Sequence, residues 1–220
     1  MKIVFDKVTK NYGVINALND VSFTVNKGDF ILLVGPSGAG KSTILKLILS
    51  QIKPTSGHIT INDLNITHAK KKEIEKIRRN IGIIFQDYQL IADKTIEENI
   101  YLALDIINFP KEKILQKTDE VLEKVGLTSR RFLFPSQVSA GELQRAALAR
   151  ALSIQPSLIL ADEPTGNVDA ENTWNLIKLL QKINKEGTTV ILTTHDPDII
   201  ESLGKDVIFL KNGSIVKNSK

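Results

Sequence analysis

Phe30-Ile31-Leu32-Leu33-Val34-Gly35-Pro36-Ser37-Gly38-Ala39-Gly40-Lys41-Ser42-Thr43 is the stretch that decides the fold. Its five leading apolar residues read as a strand buried on both faces, the kind found inside a parallel sheet. The strand runs straight into a glycine-rich turn. The turn then opens a helical pattern carrying Ile44, Leu45, Leu47 and Ile48. Gly35-x-x-x-x-Gly40-Lys41-Ser42, set between strand and helix, is a phosphate-binding loop. Its glycines let backbone N–H groups turn inward around a β-phosphate, and the helix adds the positive end of its dipole. In such a loop Lys41 reaches the β- and γ-phosphates, while the Ser42 hydroxyl ligates Mg²⁺.

Outward from this loop the chain alternates between strands and helices. Val21, Phe23 and Val25, with Ser22 and Thr24 between them, read as a half-buried strand, and Ile3 to Val8 as another. Buried strands are expected at Ile81 to Phe85, Leu158 to Ala161, Thr189 to Leu192 and Val207 to Leu210. Asn212-Gly213 is a hairpin turn into Ser214-Ile215-Val216. The middle is helical. Thr95-Ile96-Glu97-Glu98 is a capping box that opens a helix to about Ile107. A second helix follows Pro110 with Ile114, Val121, Leu122 and Val125, and Gly126 stops it. A third begins near Ala140. The expected organisation is one nucleotide-binding domain over 1–220, with an α/β core at 1–88 and 153–220 and a helical subdomain at 89–152.

Composition excludes several classes. The 220 residues are 42% hydrophobic and 25% charged, close to the globular average, which rules out a disordered chain. No apolar run approaches the roughly 20 residues of a membrane helix. Met1 leads directly into charged and strand-like residues without a leader pattern. With no Cys there is no disulfide framework and no thiolate metal site. A cytoplasmic chain that meets a membrane only from the side is expected. The net charge of +4 is matched by one stretch, Lys70 to Arg79, where six basic residues face Glu73 and Glu75. No aromatic residue interleaves there, so it reads as a solvated helix and not as a nucleic-acid surface.

Leu158-Ile159-Leu160-Ala161-Asp162-Glu163 delivers two carboxylates to the end of a buried strand, where open α/β sheets bind ligands. Asp162 suits a Mg²⁺ shell, and Glu163 suits a general base that polarises an attacking water. About 20 residues earlier, Val138-Ser139-Ala140-Gly141-Glu142-Leu143-Gln144-Arg145 opens a helix. Taken alone, His195, Tyr12 and Gln86 carry little signal. His58 and His68 match no motif, and Trp174 beside Ile177 and Leu180 reads as packing.

The Ser139 stretch resembles the Leu-Ser-Gly-Gly-Gln signature of the ATP-binding cassette (ABC) ATPases. Gln86, Asp169 and His195 then fall where that family has its Q-loop, D-loop and switch histidine. Tyr12 falls where the family stacks an aromatic ring on adenine. The resemblance covers essentially the whole chain. It implies an ABC ATPase (P-loop NTPase) α/β fold with a RecA-like core, an antiparallel β edge and the helical insert. It also implies ATP hydrolysis with Mg²⁺ in a head-to-tail homodimer. Each site would join Tyr12, Gly35, Ser37, Gly38, Ala39, Gly40, Lys41, Ser42, Thr43, Gln86, Asp162, Glu163 and His195 of one subunit to Ser139, Ala140 and Gly141 of the other. Glu163, His195 and Gln86 would act on the water and γ-phosphate, with Ser42, Gln86 and Asp162 at the metal.

The signature departs from that consensus: Val138 stands for Leu, Ala140 for the first Gly and Glu142 for Gln. Ala140 puts a methyl where the family brings backbone close to the partner's nucleotide. Gly-Glu at 141–142 is typical of the FtsE branch, as are Phe85-Gln86-Asp87-Tyr88 and Lys94-Thr95-Ile96-Glu97-Glu98-Asn99. This branch implies an integral membrane partner, FtsX-like, and an output in cell division and cell-wall hydrolase activation. The rival branch is the lipoprotein-releasing or macrolide-efflux exporters, which usually carry Ser for Ala39 and Gln for Glu142. A GTPase needs Asn-Lys-x-Asp, and Asn184-Lys185-Glu186-Gly187 fails at its last position. DNA- or ribosome-directed cassettes carry tandem cassettes, long coiled coils or zinc cysteines, none of which is seen in this sequence.

Overall fold

The computed structural model describes residues 1–166 and 169–218. It divides into two units, Met1–Arg78 with Ile183–Lys220, and Arg79–Lys182.

In the first unit, β1 (Ile3–Tyr12) and β2 (Ile15–Val25) pair antiparallel, with Ile3 opposite Val25 and Tyr12 opposite Ile15. Val21, Phe23 and Val25 point inward as their alternation requires, and Phe23 stacks on Phe5 with ring centroids 4.5 Å apart. Further strands β4 (Ser56–Ile61) and β5 (Leu64–Asn65) complete a four-stranded sheet in the order β2-β1-β4-β5. The apolar strand β3 (Phe30–Val34) is buried along its whole length. It lies parallel to β8 (Thr189–Thr194) on one side and to β9 (Asp206–Lys211) on the other. A last strand, β10 (Ser214–Asn218), returns antiparallel to β9. Asn212 and Gly213 between them both have positive φ, at 49° and 75°, as a tight hairpin turn requires. The unit's helices are α1 (Lys41–Ile48), α2 (Lys71–Arg78) and α7 (Pro197–Leu203).

The second unit holds the parallel pair β6 (Ile81–Ile84) and β7 (Leu158–Asp162), with Ile81 opposite Leu158 and Ile84 opposite Ala161. The helices expected over the middle of the chain are α3 (Ile96–Ile106), α4 (Lys111–Lys124) and α5 (Ala140–Ser153). Thr95 caps α3 reciprocally with Glu98, through bonds of 3.3 and 2.8 Å. Gly126, at φ 70°, ends α4, and Leu127 N donates back to Leu122 O at 2.8 Å. Helix α5 packs on β6, α3 and α4. Its alanines make a thin face: a Cβ at Gly82 of β6 would sit 2.8 Å from Ala151 O, so helix and strand meet backbone to backbone. The chain then enters α6 (Ala170–Lys185), on which Trp174 is half-buried.

Strands β4 and β5 and helix α7 lie beyond the sequence reading. The strand β4 was not expected; its Gly57 has φ 82°, and a Cβ there would meet Lys7 O at 2.2 Å. Asn184, which resembled part of a base-reading motif, ties down a turn instead. Its amide donates to Gly28 O and Thr188 O at 2.8 and 2.9 Å.

Candidate active site

In the first unit the Gly35–Thr43 turn leaves the C-terminal end of β3 and is packed from outside by backbone. A Cβ at Gly35 would lie 2.3 Å from Leu210 O, and one at Gly40 would lie 2.7 Å from Ala17 O. Gly40 is also the residue before α1, at φ 106°. No other residue fits both the space and the angle at that point. Lys41 is only 5% exposed, and its ammonium donates to Gly35 O at 2.7 Å and Pro36 O at 3.1 Å. A buried cation satisfied by carbonyls of its own loop is held ready for anionic ligands. Ser37, Gly38 and Ser42 are exposed, Thr43 is half-buried, and Ala39 is buried.

His195 belongs to the same end of the sheet. Val34 of β3 pairs with Thr194 of β8, so Gly35 and His195 are the next residues on parallel neighbours. Asp196 follows and caps α7, accepting from Asp198 N at 2.9 Å, which anchors the chain just past His195. Tyr12 stands at the tip of the β1–β2 hairpin, whose Ala17 and Leu18 face Gly40. Its ring is 42% exposed, with Lys10 Nζ 5.1 Å from the centroid.

In the second unit, the parallel register of β6 and β7 brings Gln86 and the Asp162-Glu163 pair to the same strand ends. Gln86 Nε2 lies 3.7 Å from where a Cβ of Gly166 would stand, and Gly166 N donates to Glu163 O at 3.2 Å. Glu163 has φ 42°, a left-handed conformation that costs a non-glycine residue about 1–3 kcal/mol and gathers at functional sites. Tyr88 and Gln89, just past Gln86, are left-handed as well, at 60° and 46°. Arg150 of α5 holds this turn by donating to the carbonyls of both, to Tyr88 O at 2.9 Å. Burial pushes the Tyr88 hydroxyl up from its ordinary pKa.

Ser139 is the N-cap of α5. Its hydroxyl accepts from Glu142 N at 3.3 Å, and its own N–H donates to Glu142 Oε2 at 2.8 Å. Arg130 Nε donates to the other carboxylate oxygen at 2.8 Å. Arg130 and the Ser139 N–H together hold the Glu142 carboxyl down at about 2. Glu thus performs the cap that a consensus Gln would perform, and gains an ion pair. Ser139 and Ala140 are exposed, while Gly141 is buried. Asp169, which falls where the family has its D-loop, is bound by Asn172, whose N–H donates to Asp169 Oδ1 at 2.8 Å. Arg130, Arg150 and Asn172 all escaped the sequence reading. An Arg on a polar helix face is ordinarily solvated, and only the fold reveals what each one meets.

The pattern that describes the ABC transporter family matches residues 18–166. The chain belongs to the ABC transporter family. Its similarity to a Bacillus subtilis (strain 168) member, Cell division ATP-binding protein FtsE, is 43% identity over 204 residues, covering 93% of this chain and 90% of that protein. Methionine import ATP-binding protein MetN of Geobacillus kaustophilus is 38% identical over 223 residues, which cover 99% of this chain but 65% of that protein. Among solved ABC cassettes, a dimeric one in a post-hydrolysis state bound to ADP and Pi matches with a TM-score of 0.91. That match has 35% identity and covers 99% of this chain and 98% of that one. The mixed α/β architecture with one antiparallel sheet and parallel strands is therefore the ABC ATPase fold.

Proposed function

We propose that this chain is the ATP-binding and ATP-hydrolysing subunit of an FtsEX-like membrane complex. In this reading ATP-driven dimerisation is coupled to an integral membrane partner in cell division and cell-wall hydrolase activation. The observation that carries it is the Gly35–Thr43 loop, with Lys41 buried and held by Gly35 O and Pro36 O at the end of a buried parallel strand. The cell-division branch is favoured by identity: this chain is 43% identical to the Bacillus subtilis FtsE and 38% identical to the methionine-import protein.

Under this reading Gly35, Ser37, Gly38, Ala39, Gly40 and Thr43 present the cradle around the phosphates, and Tyr12 stacks on adenine. Lys41 neutralises the β- and γ-phosphates. Ser42, Gln86 and Asp162 offer only oxygen donors, the set that suits Mg²⁺. When bound, the ion withdraws charge from the γ-phosphate. Glu163 accepts the proton of the attacking water as its oxygen bonds to phosphorus, and the bond to ADP breaks with its electron pair. His195 keeps water and phosphate in line. Ser139, Ala140 and Gly141 complete the γ-phosphate shell of a second copy, so ATP holds the dimer closed and hydrolysis releases it.

The core is assigned to 1–88 and 153–220, and the membrane-facing subdomain to 89–152. Within the second unit a groove of about 370 Å³ is lined by Phe85, Ile91, Leu102, Ile106 and Arg150. Its mainly apolar wall, with Ile106 60% exposed, suits an apolar helix of the membrane partner. Among the described residues no helix is long and apolar enough to cross a membrane. A peripheral position on the cytoplasmic face, held through the partner, follows from the reading.

Glu163→Gln tests it. Gln keeps the size but cannot accept a proton, so hydrolysis is expected to fall by ~10²–10⁴-fold while ATP binding persists. Light scattering with ATP and Mg²⁺ is expected to show mass doubling. A variant that hydrolyses at the parent rate would refute the assignment of Glu163.

A further inference from the structure

Asn172 sits on the first turn of α6, three residues after Asp169. Its backbone N–H donates to Asp169 Oδ1 and its side-chain Nδ2 to Asp169 Oδ2, both at 2.8 Å. Its Oδ1 accepts from Arg145 Nη1 at 2.8 Å. The orientation of this carboxamide is fixed by its neighbours, because Arg only donates and an ionised carboxylate only accepts. Arg145 stands one turn along α5 from Gly141, and the same carboxamide covers Gly141. A Cβ at 141 would meet Asn172 Cγ at 2.6 Å, Oδ1 at 2.7 Å and Nδ2 at 2.8 Å. One side chain therefore touches the buried glycine of the signature, the arginine behind it and the carboxylate of the D-loop.

We infer that Asn172 is a positioning residue that locks Asp169 to the signature turn at Ser139–Gly141, so that the two segments move as one piece. Three polar contacts and one steric contact converge on it, and all three polar contacts are to charged groups, the stronger class of hydrogen bond. A signature turn held in this way keeps the position that Asp169, six residues after Glu163, gives it. Hydrolysis in one copy is then linked to the grip that the same copy exerts on its partner's nucleotide. This rests on the proposed reading that Ser139–Gly141 completes the site of a second copy.

Asn172→Ala removes all side-chain contacts. Asn172→Asp keeps the size and the acceptor for Arg145 but sets a like charge against Asp169. Both variants of the full chain are expected to fold, with cooperative thermal unfolding, and to bind ATP within twofold of the parent by calorimetry. Both are expected to lose about tenfold in kcat with KM little changed, the size of a typical coupling between sites. In the Glu163→Gln background, ATP-driven mass doubling is expected to disappear when Asn172→Ala is added. Gly141→Ala is expected to lower kcat alone and to add little to Asn172→Ala, because both displace the same carboxamide. Retention of kcat within twofold by both Asn172 variants would overturn the inference, as would fully additive losses for the pair with Gly141→Ala. Failure of Glu163→Gln itself to double in mass would instead refute the dimer reading, and the kcat comparison would still decide the role of Asn172.

Discussion

Gly35→Ala puts the phosphate loop to a quantitative test. The added Cβ would lie 2.3 Å from Leu210 O, 3.1 Å from the Ala39 Cβ and 3.2 Å from Leu210 C, where ordinary contact begins near 3.4 Å. Leu210 cannot retreat. It is fully buried on β9, which is paired to β3 on one side and through Ile215 to β10 on the other. The loop must therefore move outward by about 1 Å, at the ~1–3 kcal/mol usual for overpacking. Gly35 O is also an acceptor for Lys41 Nζ, so the shift carries the ammonium with it. A misplacement of about 1 Å at a reacting centre costs ~10²-fold in rate.

Gly38→Ala is the matched control. It has φ 76° but nothing within 4 Å of its added Cβ, so it bears backbone strain of about 1–2 kcal/mol without a clash. Urea unfolding and steady-state ATPase assays on both variants are expected to separate the two effects. Gly35→Ala is expected to be the slower enzyme by one order of magnitude or more. Equal activity of the two variants, or a Gly35→Ala enzyme within twofold of the parent, would refute the argument from close approach.

Lys41→Ala removes the buried ammonium from Gly35 O and Pro36 O and the charge that meets the phosphates; calorimetry is expected to show ATP binding abolished, and unchanged affinity would sink the loop assignment. Glu142 supplies a pH test. Its folded pKa is depressed from 4.5 to about 2, so its contribution is present above about pH 4.5 and lost as pH falls toward 2. Glu142→Gln keeps the cap and loses the ion pair with Arg130; the stability gap from the parent is expected to be under ~1 kcal/mol at pH 7 and to vanish as pH falls through about 2. A gap that persists well below pH 2 would place its cause elsewhere.

Much of this architecture was legible because its signals are local. Phe30–Val34, the glycine turn and the Lys41 helix are consecutive, so periodicity and turn chemistry fix them together. The same holds for the cap at Thr95, the stop at Gly126 and the hairpin at Asn212-Gly213, each complete within a few residues. The strand β4 was missed because its evidence is remote. Its partner is β1, more than 50 residues earlier, with Ile3 opposite Ile61, and nothing within Ser56–Ile61 announces that pairing. Arg150 and Asn172 were missed for the same reason, since their partners, Tyr88 and Gly141, lie on other elements.

Three residues at the candidate site share a further property. Glu163, Tyr88 and Gln89 are all left-handed without being glycine; Glu163 is a proposed catalytic position, and Tyr88 and Gln89 follow Gln86, another. A sequence free of other demands would place Gly or Asn there and recover about 1 kcal/mol or more at each. On the proposed reading Glu163 cannot be Gly, because its carboxylate is the base. The Tyr88-Gln89 turn is instead held from outside by the Arg150 guanidinium, which binds the two carbonyls that the unusual backbone turns toward it. Arg150 lies on the helix that Ser139 caps, so one rigid element carries the signature turn at its start and braces the Q-loop turn near its end. Local sequence preference and global structure disagree at these positions, and the proposed function would account for the disagreement. On the proposed reading, the strain at Glu163 is the cost of aiming a general base, and the strain after Gln86 is offset by the helix that would present the signature to a second copy.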